Sequence, residues 1–222
     1  MFIQRIAAVL FVSAFALAGA EDAGWKPLFD GKSLEGWTQK GGKAKYRIEN
    51  GEIIGISQPG TPNSFLCTTR DYTNFLLEIE FKVAEGLNSG VQIRSQDTAS
   101  QVEWNGKTYK GANGRVHGIQ VEIDPSNRAW TGGLYEEGRR GWLNNLSTNE
   151  PARKAFKPGE WNKFHIEARD NHITTSLNGV PAGDLYDPIS KSGFIGLQVH
   201  GVGKRTNDLE VRFRNIRIKE LP

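Results

Sequence analysis

Three stretches of the chain alternate strictly between apolar and polar positions: 88–95, 118–124 and 194–200. Successive side chains of a β-strand point to opposite faces of the sheet, so each stretch predicts a strand with one apolar and one polar face. The polar faces carry Gln92, Arg94, Gln120, Glu122, Asp124, Gln198 and His200. This combination of amides, carboxylates, a guanidinium and an imidazole predicts the floor of a binding or catalytic cleft.

The same alternation recurs along the rest of the chain, and no long stretch keeps a helical period. The predicted strands span 44–49, 52–57, 64–68, 75–83, 90–95, 118–124, 162–169, 172–177, 193–200 and 210–219. The dipeptides Asn50-Gly51 and Asn178-Gly179 are typical of two-residue hairpin turns. Many short strands without helices between them predict an all-β fold, a two-sheet antiparallel sandwich of the jelly-roll type.

Two connections, 96–117 and 125–160, are too long to be simple turns, and such connections are usually functional or disordered. The second is rich in tryptophan, arginine and glycine, a composition that is unusual in a disordered linker. We predict a folded wall over the cleft, in which Trp130, Tyr135 and Trp142 offer flat faces to a sugar ring. The alternative for each ring is that it fills an edge of the core.

The first 20 residues have the pattern of a secretory signal peptide: Arg5, an apolar run over 6–17 and small residues before position 21. The run is too short for a membrane span, and no other segment approaches about 18 apolar residues. We therefore expect export to the periplasm or the outside of the cell. The remaining residues, 21–222, are enough for one β-sandwich domain. The chain has a single cysteine, Cys67, so this domain cannot contain an internal disulfide.

The charges of the chain are interspersed and sum to +3. A nucleic-acid-binding protein usually has a basic run or stripe, and this sequence has none, so we expect no nucleic acid as a partner. The pattern leaves the oligomeric state open.

Glu122 and Asp124 lie two residues apart on one predicted strand, which places their Cα atoms about 6–7 Å apart on one face. Neighbouring carboxylates can separate their pKa values, so that one serves as an acid or base near neutral pH. An isolated pair of this kind can equally be exposed or bridged by an arginine, and Arg94 is available for such a bridge. His200 ends its strand before a glycine-rich loop and is a candidate base or metal ligand.

The segment from Glu122 to Asp124 also invites comparison with sandwich-fold glucanases, whose catalytic strand has the pattern Glu-x-Asp-x-x-Glu. The last position is Asn127 here, and Pro125 interrupts the strand before it. A retaining glycosidase needs two well-placed carboxyl groups, and the second is missing from this motif. The motif therefore argues against a conventional glucanase.

Several segments of the chain occur in the order and with the spacing that a known family shows. They are 24–37, 88–95, 117–125 with 132–135, and 196–201 with 213–219. In these segments the chain resembles a bacterial family described as 3-keto-disaccharide hydrolases, or 3-keto-glucoside 1,2-lyase and 3-keto-2-hydroxy-glucal hydratase domains. The resemblance covers essentially the whole predicted mature domain. It implies a concanavalin A-like β-sandwich and cleavage of glycosides that are already oxidised to the ketone at C3.

The implied reaction begins with removal of the C2 proton, which the C3 ketone makes acidic, while the C1 glycosidic bond departs. Water then adds to the unsaturated sugar. Carried onto this chain, the resemblance implies Glu122 or His200 as the base, Arg94 as the enolate stabiliser, and Asp124 as an orienting group or the acid for the leaving group.

Many similar members have the glutamate and glutamine of the central strand in exchanged order, which leaves the base open. The three glutamines of the polar face, Gln92, Gln120 and Gln198, are then expected to bind substrate. A divalent metal bound by His200 and a carboxylate is an alternative enolate stabiliser, although no spacing is diagnostic.

Two other functions fit the same fold class, because fold does not determine function. The first is a non-catalytic carbohydrate-binding or laminin-G-like module, and the second is an interaction domain of a larger exported assembly. A binding module needs aromatic rings and amides but has no need of Arg94, Glu122, Asp124 and His200 on one face. The polar face therefore favours an enzyme that acts on a saccharide.

Overall fold

The computed structural model describes residues 23–222, so the predicted signal peptide over 1–20 lies outside the described residues. Within 23–222, no helix has the length and apolar character needed to cross a membrane.

The described residues form short strands and one helix. The strands are β1 Lys26–Pro27, β2 Trp37–Gly41, β3 Lys45–Glu49, β4 Glu52–Ile56, β5 Ser64–Thr68, β6 Phe75–Val83, β7 Ser89–Gln96, β8 Ser100–Trp104, β9 Lys107–Gly111, β10 His117–Ile123, β11 Leu134–Glu137, β12 Gly141–Asn144, β13 Asn162–Arg169, β14 His172–Leu177, β15 Val180–Tyr186, β16 Phe194–Val199 and β17 Glu210–Glu220. The helix, α1, spans Glu150–Ala155, and the Asn149 side chain caps it by accepting a hydrogen bond from the Ala152 amide at 3.2 Å.

The strands assemble into two large antiparallel sheets, and β8 and β9 form a separate hairpin. The eight-stranded sheet has the order β15-β14-β13-β6-β17-β4-β3, with β1 paired to β17. The seven-stranded sheet has the order β12-β11-β10-β7-β16-β5-β2. The predicted all-β, two-sheet antiparallel sandwich is therefore confirmed.

The core lies between the two sheets and follows the alternation of the sequence. In β6, the side chains of Phe75, Leu77, Ile79 and Phe81 are buried, whereas Glu78 and the other intervening residues are partly exposed. Burial of each such aromatic or aliphatic side chain contributes about 1.5–3 kcal/mol. Apolar side chains of both sheets join one continuous cluster, which identifies the sandwich interior as the main source of stability.

The polar face of the seven-stranded sheet is covered as well, since β7 and β10 are buried along nearly their whole length. Val116, just before β10, packs with Phe65, Cys67 and Phe194 in a second apolar cluster on this face. The segment before β10 thus covers part of the predicted cleft floor.

The two long connections contain more structure than the sequence predicted. The first contains the β8–β9 hairpin, and the second contains β11, β12 and α1. No strands were predicted in these connections, because strands of four or five residues are too short to show a clear alternation. The predicted folded wall is present in the second connection, where the β11–β12 hairpin extends the seven-stranded sheet beyond β10.

Buried ion pairs anchor this hairpin to the rest of the sandwich. Glu136 lies 2.6 Å from the Arg139 guanidinium and 2.5 Å from that of Arg140. Arg140 also reaches Asp187, at 2.8 Å, in the segment that follows β15. The hairpin and its cleft residues are therefore held by charges that water does not reach.

Candidate functional site

A β-bulge divides β7 and decides which of its side chains face the cleft. Arg94 and Ser95 together oppose Gly118 of β10, because the register between the strands shifts by one residue there. Arg94 has a φ of 46°, and the pairing of β7 with β16 shifts at the same place. An extra residue in one strand reverses the facing of every side chain that follows it.

Arg94 consequently leaves the polar face. Its guanidinium donates hydrogen bonds to the carbonyl oxygens of Thr73 and Asp170, both at 2.6 Å, and to Oδ1 of Asn74 at 3.1 Å. These acceptors lie just before β6 and in the turn between β13 and β14. All three strands belong to the eight-stranded sheet. The prediction that Arg94 shares a face with Glu122 is wrong, since the bulge turns it to join the two sheets.

On the side where β7 precedes the bulge, the seven-stranded sheet forms one side of a cleft of about 340 Å³. The cleft is lined by Asn63, Asn88, Gln120, Glu122, Arg128, Tyr135, Glu137, Trp142 and His200. Five of these side chains were predicted from the sequence, namely Gln120, Glu122, Tyr135, Trp142 and His200.

Glu122 is the most enclosed carboxylate of the cleft, with only 4% of its surface exposed. Asn88 Nδ2 donates to Oε1 at 2.7 Å, and Gln120 Nε2 donates to Oε2 at 2.8 Å. Burial raises the pKa of Glu122, although the two amide hydrogen bonds partly offset this effect. The result is a carboxylate that is fixed in position and more basic than an exposed glutamate.

A line of amides beneath the cleft holds Gln120 in place. Gln92 Nε2 donates to Gln120 Oε1 at 2.6 Å, and Ser95 Oγ donates to Gln92 Oε1 at 2.7 Å. Gln92 is fully buried and does not line the cleft, so the structure gives it a supporting position and not the substrate contact that the sequence predicted.

Asp124 lies outside the cleft and organises the loop that follows β10. Its carboxylate accepts hydrogen bonds from Arg128 Nε at 2.8 Å and from the Ser126 amide at 3.1 Å. Burial alone would raise the pKa of Asp124, but hydrogen bonds from Ser126 and Arg128 outweigh burial and lower it. A carboxylate held in this way is a poor proton donor, so the contacts favour the predicted orienting role of Asp124, with Arg128 as its partner, over the predicted acid.

Arg128 and the aromatic rings form the wall of the cleft. The guanidinium lies 4.7 Å from the Trp130 ring centroid and 5.1 Å from that of Trp142. Trp142 makes edge contacts with Trp130 and Tyr135, with ring centroids 4.8 Å and 5.3 Å apart. Trp130 therefore supports the wall without lining the cleft, whereas the other two rings border the open space.

A second carboxylate, Glu137, lies at the other end of the cleft. Gln198 Nε2 and Asn63 Nδ2 donate to its Oε2 at 3.3 Å and 3.4 Å. Burial raises the pKa of Glu137, and the nearby positive charge of Arg115 reduces that effect. Gln198 itself is fully buried beneath Glu137, so it contacts the cleft through this carboxylate.

His200 is exposed at the cleft mouth. Its Nδ1 lies 2.8 Å from the carbonyl oxygen of Gly201, which can only accept a hydrogen bond. Nδ1 must therefore carry the proton, and in the neutral ring the lone pair is on Nε2. His200 can accept a proton or a hydrogen bond at that atom.

A family model matches residues 24–219 and describes a 3-keto-alpha-glucoside-1,2-lyase-like domain. The chain belongs to this family. One relative, a 3-keto-disaccharide hydrolase from Bacteroides thetaiotaomicron, is 27% identical over 89% of this chain and 79% of its own length.

Solved structures also resemble this family member. A glycosyl hydrolase candidate from Parabacteroides distasonis superposes with a TM-score of 0.60 at 21% identity, over 92% of this chain and 97% of its own. The carbohydrate-binding module CBM66 from Bacillus subtilis gives a TM-score of 0.54 at 16% identity, over 83% and 96% of the two chains. Further neighbours have galectin-like and β-glucanase folds, which confirms the expected concanavalin A-like jelly roll.

The donors of this family member do not fit the divalent metal considered from its sequence. Across residues 23–222, no group of three or more histidine, cysteine, aspartate or glutamate side chains is arranged to hold a metal ion. The described residues therefore provide no set of ligands for that metal.

Sequence reasoning missed four side chains that line the cleft: Asn63, Asn88, Arg128 and Glu137. Asn88 precedes the first residue of β7, so strand alternation alone gave it no role. Asn63 precedes β5 directly, and its position opposite His200 follows from the pairing of Ser64 with Val199. Glu137 lies in a four-residue strand that the sequence pattern did not reveal.

Proposed function

We propose that this protein cleaves 3-keto-glycosides by elimination across C1 and C2, followed by hydration. Its family membership supports the substrate class. The observation that carries the proposal is the Glu122 carboxylate, which is buried, oriented by two amide donors and directed into a cleft bordered by aromatic rings.

Glu122 acts as the base in this proposal. It accepts the proton from C2 of the sugar, and the electrons of the broken bond form an enolate with the C3 ketone. Collapse of the enolate expels the substituent at C1 and leaves a double bond between C1 and C2. A raised pKa suits this task, because general bases work best when their pKa lies near the ambient pH.

Arg128 replaces Arg94 as the proposed stabiliser of the enolate oxygen. Its Nη2 lies 3.9 Å from Oε1 of Glu122, and its guanidinium lines the cleft. A cation beside the base can stabilise the negative charge that moves from the carboxylate to the sugar. Asp124 keeps this guanidinium in place through the hydrogen bond to Nε.

Tyr135 and Trp142 are proposed to bind the sugar ring. Both are partly exposed and border the cleft, and their edge contact fixes their mutual orientation. Flat rings of this kind offer apolar contact area while amides such as Gln120 and Asn88 bond to hydroxyl groups.

Hydration completes the reaction without a change in oxidation state. Water adds its oxygen to C1 and a proton returns to C2, so the net result is hydrolysis of the glycosidic bond. His200 is placed to accept the proton of that water at Nε2, which faces away from the bonded Gly201 carbonyl.

The apolar run of residues 6–17 supports a further proposal, that this chemistry takes place after export.

The test is incubation of the purified protein with 3-keto-glucosides and with their unoxidised parents, with and without a chelator. We expect cleavage of the oxidised substrates alone. Cleavage of the unoxidised sugars alone would restore a conventional glycosidase, and saturable binding with no cleavage of either would favour the non-catalytic sugar-binding module.

Glu122→Gln keeps the volume of the side chain and removes the base, so we expect kcat/KM to fall at least about 100-fold. The matched control is Glu150→Gln, an exposed glutamate on α1 that is paired to Lys154. If Glu122→Gln retained wild-type turnover, Glu122 would not be the base.

Reaction in D2O separates the proposed route from direct hydrolysis. Hydration takes the C2 proton from solvent, so the released sugar should carry deuterium at C2, after subtraction of the exchange seen without enzyme. Direct hydrolysis would leave the original C2 proton in place.

A further inference from the structure

A second depression adjoins the cleft. It has a volume of about 530 Å³, and its lining includes Pro62, Asn63, Phe65, Arg115, Val116 and Glu137. Two of these residues, Asn63 and Glu137, also line the cleft. The two spaces are therefore neighbours that meet at a hydrogen-bonded pair of side chains.

The two spaces differ in chemistry. Phe65 and Val116 belong to the apolar cluster on this face of the sheet, and Pro62 adds an exposed ring. Arg115 is exposed at the rim, and its charge acts on Glu137. This second space therefore suits a group with one apolar side and polar edges, whereas the cleft is lined almost entirely by polar and aromatic side chains.

We propose that the second depression binds the leaving group of the glycoside, a second sugar ring or an aromatic ring, and that Glu137 at its boundary protonates the departing oxygen. The inference rests on the proposed function above, because it assigns the oxidised sugar to the cleft. The scissile C1–O bond then lies where the two spaces meet, beside Glu137.

Glu137 is the carboxyl group best placed for this step. Glu122 and His200 line only the cleft, whereas Glu137 borders both the cleft and the second depression. The hydrogen bonds that Gln198 and Asn63 donate to its Oε2 are long, 3.3 Å and 3.4 Å, so they stabilise the ionised carboxylate only weakly. Burial raises its pKa, which favours the protonated acid.

The proton balance closes with these two carboxyl groups. Glu122 takes the proton from C2, the C1–O bond breaks, and the leaving oxygen takes the proton of Glu137. In the hydration step water gives its hydroxyl group to C1, and its remaining proton passes through His200 to Glu137. Glu122, whose proton exchanges with solvent between the two steps, returns a proton to C2. No oxidant, reductant or further reactant is needed.

The first test is a series of 3-keto-glucosides that differ only in the leaving group. An acid is needed for a poorly acidic alcohol such as methanol or a sugar, and hardly at all for 4-nitrophenol. Glu137→Gln should therefore lower kcat/KM about 100-fold or more for the methyl and disaccharide substrates but only a few-fold for the 4-nitrophenyl substrate. An equal loss across the series, or no loss, would overturn the assignment of the acid.

The second test concerns the depression itself. Pro62→Trp places a large side chain in it, and Pro158→Trp is a matched control at an exposed proline that lines neither space. We expect Pro62→Trp to raise KM about 10-fold for the 3-keto disaccharide and to leave the 3-keto methyl glucoside unaffected. Equal effects on both substrates would show that the second space does not hold the leaving group.

These outcomes are distinct from failure of the proposed function. A wild-type protein that cleaves none of the 3-keto substrates would refute the function itself. A wild-type protein that is active, with Glu137→Gln equally active on every leaving group, would refute this inference alone.

Discussion

Arg94 illustrates how a single residue can change its role through its backbone. Only 2% of its surface is exposed, and its guanidinium donates hydrogen bonds to Thr73, Asn74 and Asp170. Hydrogen bonds that involve a charged group contribute about 1.5–3 kcal/mol each. Arg94 therefore contributes to stability, in contrast to the catalytic role that its sequence context favoured.

We predict that Arg94→Ala lowers the free energy of unfolding by at least about 3 kcal/mol, because several charged hydrogen bonds that join the two sheets are lost. At temperatures where the variant remains folded, its kcat should stay close to that of the wild type. Urea denaturation and turnover of a 3-keto-glucoside measure the two quantities. Arg70→Ala is the control, since the Arg70 side chain is 60% exposed.

A large loss of kcat in folded Arg94→Ala, with little loss of stability, would contradict this view and return Arg94 to the reaction.

The sequence predicted the facing of Gln120, Glu122 and His200 because regular alternation holds in their strands. It failed at Arg94 because a bulge depends on tertiary pairing with Gly118, which strand alternation does not reveal.

At the scale of the element, β7 contributes to the cleft through Gly90, a residue without a side chain. A Cβ atom at Gly90 would lie 2.5 Å from Cγ and Cδ of Gln120, a separation that real side chains do not tolerate. Gly90 thus leaves the space in which Gln120 lies across the strand and donates to Glu122.

We predict that Gly90→Ala displaces Gln120, removes its hydrogen bond to Glu122 and lowers kcat about 10- to 100-fold. Overpacking should also cost about 1–3 kcal/mol of stability. Gly196→Ala on the neighbouring strand is the control, since its nearest contacts are longer, 3.1 Å to Cys67 Sγ and 3.3 Å to Gln92 Cβ. Turnover of Gly90→Ala at the level of this control would mean that Gln120 does not position the base.

The elements were predicted unevenly, for a physical reason. Long strands such as β6 and β13 have the predicted bounds, since eight or nine alternating residues define a period. The short β11 has only four residues, and it carries both Tyr135 and Glu137. Its position depends on the buried bonds of Glu136 to Arg139 and Arg140, which sequence alternation cannot reveal.

At the scale of the whole molecule, stability depends on pH through buried and partly buried carboxylates. Burial alone would raise the pKa of Asp187, but hydrogen bonds and the charge of Arg140 outweigh burial and lower it. Arg214, with Asn215, lowers the pKa of Glu80 in the same way against burial. A carboxylate with a lowered native pKa stabilises the fold above the ordinary carboxyl pKa, and this stabilisation is lost as the pH falls through the lowered value.

We therefore predict that the thermal midpoint falls as the pH drops below about 4. Asp187→Asn should cost about 3 kcal/mol or more at neutral pH, because Arg140 loses a buried partner, and less in acid, where the wild type has itself lost that charge. Denaturation at both pH values measures the difference. Asp184→Asn is the control, since the Asp184 side chain is 70% exposed.

An Asp187→Asn effect of the same size at both pH values would contradict the assignment, because it would separate the stabilisation from the ionised carboxylate.

The all-β sandwich itself was predictable, since it depends on alternation repeated over many strands. The pairing of Arg140 with Asp187 was not, because the two residues are 47 positions apart.

The bulge in β7 also bears on how readily the protein can acquire new substrates. The residues before it, Asn88 to Gln92, serve the cleft, whereas Arg94 after it joins the two sheets. Substitutions in the first part can therefore alter recognition without disturbing the bonds that hold the sandwich together. A protein engineer could vary Asn88 in a library, keep Arg94 unchanged, and expect most of the resulting proteins to fold.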